Sequence, residues 1–369
     1  IPFVSQAAEG YVRDALNGGK HCGNGKYGKL SSETLQQWSG AAKVFLTPSC
    51  TAALEMSALL LDIQPGDEVV VPSFTFVSTP CAFTIFGAKP VFVDVDPHTL
   101  NLDVVALRAA VGPRTKVIVP VHYGGVACPM PEILEVARSV GAAVIEDNAH
   151  GLFGSYLGKP LGSFGAASTL SFHETKNCGC GEGGALVLND PALVARAEVA
   201  QEKGTDRSRF LMGQVDKYTW VDRGSSYLLG ELPAALLYAN LRDRERFQAR
   251  RLKIWDVYHE QLADWAQSRG ISRPGLVAGS VHPAHVYYLL MPDLSQRQAL
   301  TQHLKARGIH VSFHYQPLHL SPMGLKFGGY PGQCPVTESV ADRLVRLPLH
   351  ATLRPEDQQR VVEAILEWK

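Results

Sequence analysis

One lysine in this chain stands where a lysine is costly. Ser171-Phe172-His173-Glu174-Thr175-Lys176-Asn177 lies between apolar runs that read as strands, 166–172 and 185–188, and a glycine-rich loop from Cys178 to Gly184 follows it. An amine at the end of a buried strand finds water, finds a carboxylate, or gives up its charge. In the last case it becomes a nucleophile for carbonyls. On this stretch alone, a surface lysine on a hairpin loop is the simpler reading. Other residues reverse it. Asp147 closes a second apolar strand, 143–147, and a carboxylate there needs a donor or a cation; taken alone, it serves equally as a helix cap or an ion-pair partner. Ser49-Cys50-Thr51 joins a strand, 43–47, to a strongly helix-forming run, 52–61. Such a turn presents free N–H groups and hydroxyls to an anion, or is an ordinary cap. It has neither the Walker nor the dinucleotide glycine pattern, so a phosphate bound there belongs to a cofactor monophosphate.

One ligand uses all these parts. An aromatic aldehyde is held by a lysine, its phosphate by the turn at Ser49, Cys50 and Thr51, and its pyridinium nitrogen by Asp147. Phe76 can stack on the ring. Ser171 and His173, two apart on a strand, share a face and can line the site. That ligand is pyridoxal 5′-phosphate, for which the protein supplies the lysine and the pyridinium partner.

The elements that must position these groups read as α/β. Strands at 68–72, 91–95, 117–122 and 143–147 recur at roughly 25-residue spacing with helical stretches between, as in a mostly parallel sheet. Ligands of such sheets bind beyond the carboxyl ends of the strands, where Ser49, Phe76, Asp147 and Lys176 fall. A glycine-rich loop, 18–28, leads to a short helix, 31–38, capped by Ser31 or Ser32. Past Gly204 the periodicity lapses into a long loop carrying Lys217, Tyr218 and Trp220. A continuous helix, 232–258, bears Arg242, Arg244, Arg246, Arg250 and Arg251 as a solvated face. Strands at 286–290 and 311–315, a helix at 296–306 and a last helix from Pro355 form a small α+β unit. The expected division is a large α/β domain, 1–245, and a small C-terminal α+β domain, 246–369.

At 369 residues, with 46% hydrophobic and 19% charged residues, the chain is long enough for two cores. Lys+Arg and Asp+Glu both number 35, so no basic field marks nucleic acid or an anionic membrane as a partner. No apolar run spans a bilayer. Ile1 to Ser5 lack the pattern of a secretory signal, and without a starting Met the chain is expected to be trimmed. Seven cysteines, an odd number, fit reduced thiols in a cytoplasm, and Cys178 and Cys180 lack the second pair that a metal site needs.

Linked motifs carry a resemblance over nearly the whole chain: Thr47-Pro48-Ser49-Cys50-Thr51-Ala52, Pro65-Gly66-Asp67-Glu68-Val69, Pro72-Ser73-Phe74-Thr75-Phe76-Val77-Ser78-Thr79, Glu146-Asp147-Asn148-Ala149-His150-Gly151, the Lys176 stretch and Gly181-Glu182-Gly183-Gly184. The chain resembles the DegT/DnrJ/StrS sugar aminotransferases, a branch of the aspartate aminotransferase-like, fold-type I pyridoxal-phosphate enzymes. Val119 to Cys128, Gly213 to Trp220 and Phe313 to His319 look most like the dTDP-4-amino-4,6-dideoxygalactose transaminases. The resemblance implies that Lys176 holds the cofactor covalently and shuttles protons, Asp147 pairs with the ring nitrogen and Phe76 stacks. It places His150 near the ring oxygen and Cys50, Thr51 and Ser171 at the phosphate. It implies a homodimer with shared sites, L-glutamate as donor and C4 of dTDP-4-keto-6-deoxy-D-glucose as acceptor. Amination at C3, or of another keto nucleotide sugar, is the alternative within the family. Lys217, Tyr218, Trp220, His314 and Tyr315 are the candidates for sugar and nucleotide contacts. The chain departs from many relatives in having Cys50-Thr51 for Gly-Thr, and Ser225-Ser226 where an Asn reaches the partner's phosphate; Ser226 would donate a hydroxyl instead. A dehydratase branch carries histidine for the lysine, so Lys176 favours transamination. A non-catalytic pyridoxal-phosphate-binding regulator is the rival reading, against which stand both Lys176 and Asp147.

Overall fold

Val69, Val70 and Val71 are wholly buried, as are Val117 and Ile118. Unbroken apolar runs of this kind belong to strands covered on both faces. The computed structural model, which describes residues 2–368, assembles them as expected. In chain order the strands are β1 (Lys43–Thr47), β2 (Glu68–Pro72), β3 (Lys89–Val93), β4 (Thr115–Ile118), β5 (Ala143–Asp147), the short β6 (Ser155–Tyr156) and β7 (Lys159–Pro160), β8 (Ala167–Ser171) and β9 (Gly184–Leu188). Seven of them form one sheet in the order β1-β9-β8-β5-β4-β2-β3. Neighbours from β8 to β3 pair in parallel. Only β9 runs against its neighbours β1 and β8. The carboxyl ends of β1, β2, β5 and β8 therefore share one edge with the amino end of β9.

Local chemistry sets the boundaries. The helix after β1, Cys50–Leu60, starts at Ser49, whose Oγ accepts the Ala52 N–H. The helix expected at 31–38 is longer, Lys26–Ser39, and neither Ser31 nor Ser32 caps it. Its first turn is closed from a distance: the buried Glu231 carboxylate accepts the N–H groups of Tyr27 and Gly28. Gly25 makes this approach feasible, since a Cβ there would lie 2.3 Å from Glu231 Oε2.

The expected helix 232–258 is two helices, Glu231–Arg242 and Arg244–Gln261, broken at Asp243. Its arginines are not all solvated, for Arg251 is buried and spends its donors on the carbonyls of Ala284 and His285. A further apolar cluster runs from Ile254 to Ile365 around β11 (Tyr287–Leu290) and β12 (Leu344–Leu347), which pair antiparallel; β10 (Ser280–Val281) joins β6 instead. Residues 311–315, expected as a strand, pair with β12 through the isolated bridge Ser312↔Arg346 rather than as a strand. They then turn away, because Leu318 N–H and His319 bind Ser73 at the end of β2.

Candidate active site

The shared edge of the sheet opens into a cavity of about 650 Å³. Its walls come from the ends of β1, β2, β5 and β8 on one side and from His285, His314, Tyr315 and Arg346 on the other. Ser49, Cys50, Thr51, Phe76, Asp147, His150, Ser171, His173 and Lys176 all line it. Residues far apart in sequence are thus brought to one place by parallel strands ending together.

Lys176 makes no side-chain hydrogen bond among the described residues, and burial of its amine pushes the pKa down to about 8. The nearby Cys50 and Asp147 oppose that shift, and Arg346 adds to it. Asp147 is buried, which raises its pKa. Thr79 Oγ1 donates to its Oδ2 at 2.8 Å, and Ala149 N donates to its Oδ1 at 3.2 Å. The strand end that presents it is held from the opposite face, where the buried Glu146 accepts N–H groups of Gly162, Phe164 and Gly165 and pairs with His122 at 2.9 Å.

The turn at β1 supplies hydroxyls and N–H groups. Thr51 Oγ1 and Ser78 Oγ lie 2.7 Å apart at the cavity wall. The turn sits so close to β9 that a Cβ on Gly184 would fall 2.3 Å from the Ser49 carbonyl carbon. Burial lifts the Cys50 thiol to about 12, so it serves as a neutral group. Ser171 is buried, and His173 bonds Thr175 Oγ1 at 2.8 Å. Phe76 remains 56% exposed, its ring 6.4 Å from that of Tyr315. His150 is held well below the ordinary histidine pKa, first by burial and then by Lys176, His314 and Arg346.

These residues fit pyridoxal phosphate. They supply an unpartnered amine, a buried carboxylate, a hydroxyl-lined helix start and an exposed aromatic ring in one cavity of sufficient size. Asp147 and Thr79 would hold the ring nitrogen, the Ser49–Thr51 turn with Ser78 the phosphate, and Lys176 the aldehyde carbon.

His314 and Tyr315, candidates for substrate contacts, stack at 4.1 Å in the cavity wall. Lys217, Tyr218, Trp220 and Ser226 are not brought to this chain's own cavity. Tyr218, Trp220 and Ser226 are exposed on a segment tied elsewhere, with Thr219 N–H on Asp206 and Asp222 on Arg196. Thr79, Ser78, His285 and Arg346 were not singled out by sequence reasoning. Arg346 offered a signal, as the one charge in Leu344-Val345-Arg346-Leu347. Its Nε is buried without a hydrogen-bond partner among the described residues, and its Nη1 donates to His314 Nε2. Burial, then Arg346 and Lys176, hold His314 down at about 2, a neutral ring.

Comparison with known proteins agrees with this geometry. Residues 4–366 match the DegT/DnrJ/EryC1/StrS aminotransferase family. The chain is 32% identical to the spore coat polysaccharide biosynthesis protein SpsC of Bacillus subtilis, over 99% of this chain and 95% of that one. It is 33% identical to the GDP-perosamine synthase of Caulobacter vibrioides, covering 85% and 82% of the two chains. The crystal structure of S. venezuelae DesV in complex with a ketimine intermediate superposes with a TM-score of 0.89 at 30% identity, over 98% and 94% of the chains. The chain therefore belongs to the DegT/DnrJ/EryC1/StrS aminotransferase family, as a transferase of fold type I that takes pyridoxal phosphate as its cofactor.

Proposed function

We propose that the enzyme moves the amine of L-glutamate to C4 of dTDP-4-keto-6-deoxy-D-glucose, giving a dTDP-4-amino-4,6-dideoxyhexose of the galacto form. The observation that carries an amine transfer is Lys176, an unpartnered amine with a pKa of about 8 in a cavity shared with Asp147. When bound, pyridoxal phosphate supplies the electron sink that lets an amine pass from donor to acceptor. The chain's own groups do the rest. Asp147 keeps a proton on the ring nitrogen, and the turn after β1 anchors the phosphate. Lys176, uncharged above about pH 8, takes and returns the proton at the reacting carbon. Arg346, a guanidinium with an unpartnered buried Nε, fits the carboxylate of the donor. The sugar nucleotide enters past Phe76, His314 and Tyr315, aromatic faces suited to a sugar or a base.

The nucleotide sugar is supported by relatives whose names concern polysaccharide biosynthesis and GDP-perosamine. The reading includes a homodimer with the two sites at the interface. In support, the segment expected to contact substrate exposes Leu211, Met212, Tyr218 and Trp220 outside its own cavity. Those residues and Ser226 would complete the partner's site. The two-domain division, 1–245 and 246–369, belongs to the same reading and is supported by the separate apolar cluster from Ile254 onward.

Incubation with L-glutamate and dTDP-4-keto-6-deoxyglucose, followed by mass and NMR analysis, tests this. A 4-amino sugar and 2-oxoglutarate are expected. Turnover with a 3-keto nucleotide sugar alone would replace the C4 assignment with the C3 alternative.

A further inference from the structure

The segment 283–285 enters the cavity wall from the far side and is tied down at each residue. Gln248 Nε2 and Asn177 Nδ2 both donate to Pro283 O at 2.7 Å. Arg251 donates to Ala284 O at 3.1 Å and to His285 O at 2.7 Å. Held this way, the His285 ring makes two contacts. Its Nδ1 lies 2.9 Å from Asn177 Oδ1. Its face stacks on His150 with centroids 4.2 Å apart and planes at 26°.

The partners settle where the protons are. Asn177 spends its Nδ2 on a carbonyl, so Oδ1 accepts from His285, which carries its proton on Nδ1. Gly124 N donates to His150 Nδ1 at 3.2 Å, so the His150 proton sits on Nε2. Both rings and Asn177 are buried. A second proton on either ring would put a cation face to face with its neighbour, close to Lys176 and Arg346.

We propose that Asn177 and His285 are positioning residues of this site. Asn177 pins the loop that carries Lys176 across to segment 283–285, and the His285 ring, stacked on His150, keeps that ring in the orientation in which Gly124 N–H holds it as a neutral Nε2–H donor in the cavity wall. This rests on the cavity being the pyridoxal phosphate site. A neutral donor there steadies an anionic oxygen without adding a charge that would compete for the proton of Lys176.

Substitution separates the two contacts. His285→Phe keeps a ring on His150 and loses the bond to Asn177. His285→Gln keeps a donor for Asn177 and loses the stacked ring. The first readout is the ¹⁵N imidazole spectrum of the full chain labelled in histidine, with His150 assigned through His150→Asn. Wild type and His285→Phe are expected to show the Nε2–H tautomer at neutral pH, and His285→Gln to lose it. The second readout is the rate at which added pyridoxal phosphate becomes fixed to Lys176 by borohydride, followed by peptide mass. It is expected to fall on the order of tenfold in His285→Phe and in Asn177→Ala, and to change less than about twofold in His285→Gln. A charged or Nδ1–H His150 in wild type overturns the proposal without any variant. So do variants that move both readouts together, or neither. No fixation on Lys176 in wild type overturns the cofactor site itself, and fixation at equal rates in all variants overturns only the positioning roles.

Discussion

In its proposed role Lys176 acts only while its amine is uncharged, and burial is what brings its pKa down to about 8. A lysine in the unfolded chain holds its proton up to the ordinary 10.5, whereas Lys176 releases it at about 8. Between those values the unfolded chain binds more protons, so raising the pH through that window stabilises the fold, and below it the full penalty remains. Urea midpoints of the cofactor-free protein are therefore expected to rise more steeply with pH in wild type than in Lys176→Met. Lys176→Ala is expected to abolish turnover while pyridoxamine phosphate still binds, and sustained multiple turnover by that variant would falsify the lysine's role. Asp147 depends on a hydroxyl. Thr79→Val removes the donor to Oδ2 and leaves a buried acceptor unpaired, at an expected cost of about 1–2 kcal/mol in stability, together with faster cofactor loss read by dialysis and absorbance.

Two elements are held in place by partners remote in sequence. The turn at Ser49–Thr51 packs on β9 only because Gly184 lacks a side chain. Gly184→Ala would drive a Cβ into the turn's backbone, with an expected loss of about 1–3 kcal/mol and of phosphate affinity, measured by thermal melts with and without pyridoxal phosphate. The helix Lys26–Ser39 begins where it does because Glu231 takes its first N–H groups. Neither partnership leaves a mark in the local sequence. Ser31 and Ser32 look like caps, yet Ser31 instead donates to Ala234 O. The segment 311–315 has the composition of a strand and is one bridge of a sheet, because the pull of Ser73 on His319 bends the chain away.

At the scale of the whole molecule, the proposed dimer makes a specific demand. Trp220 is 77% exposed and Leu211 is 69% exposed, on a segment that does not serve its own cavity. Trp220→Asp is expected to raise the dimer dissociation constant at least about tenfold in sedimentation equilibrium, with activity falling in step with the dimer. The mostly parallel sheet, the turn after β1, and the placement of Lys176 and Asp147 beyond strand ends were legible in the sequence alone. Each rests on a local pattern: an apolar run, a small polar turn, a charge where a charge is expensive. Tertiary structure alone decided which distant groups complete them. Thr79 on Asp147, Glu231 on a helix start, Arg251 and Asn177 on segment 283–285, and Arg346 in the cavity wall are meetings across the fold. Hydrogen bonds of that kind are set by where strands and helices end in space, and nothing in the spacing of residues along a chain encodes that distance.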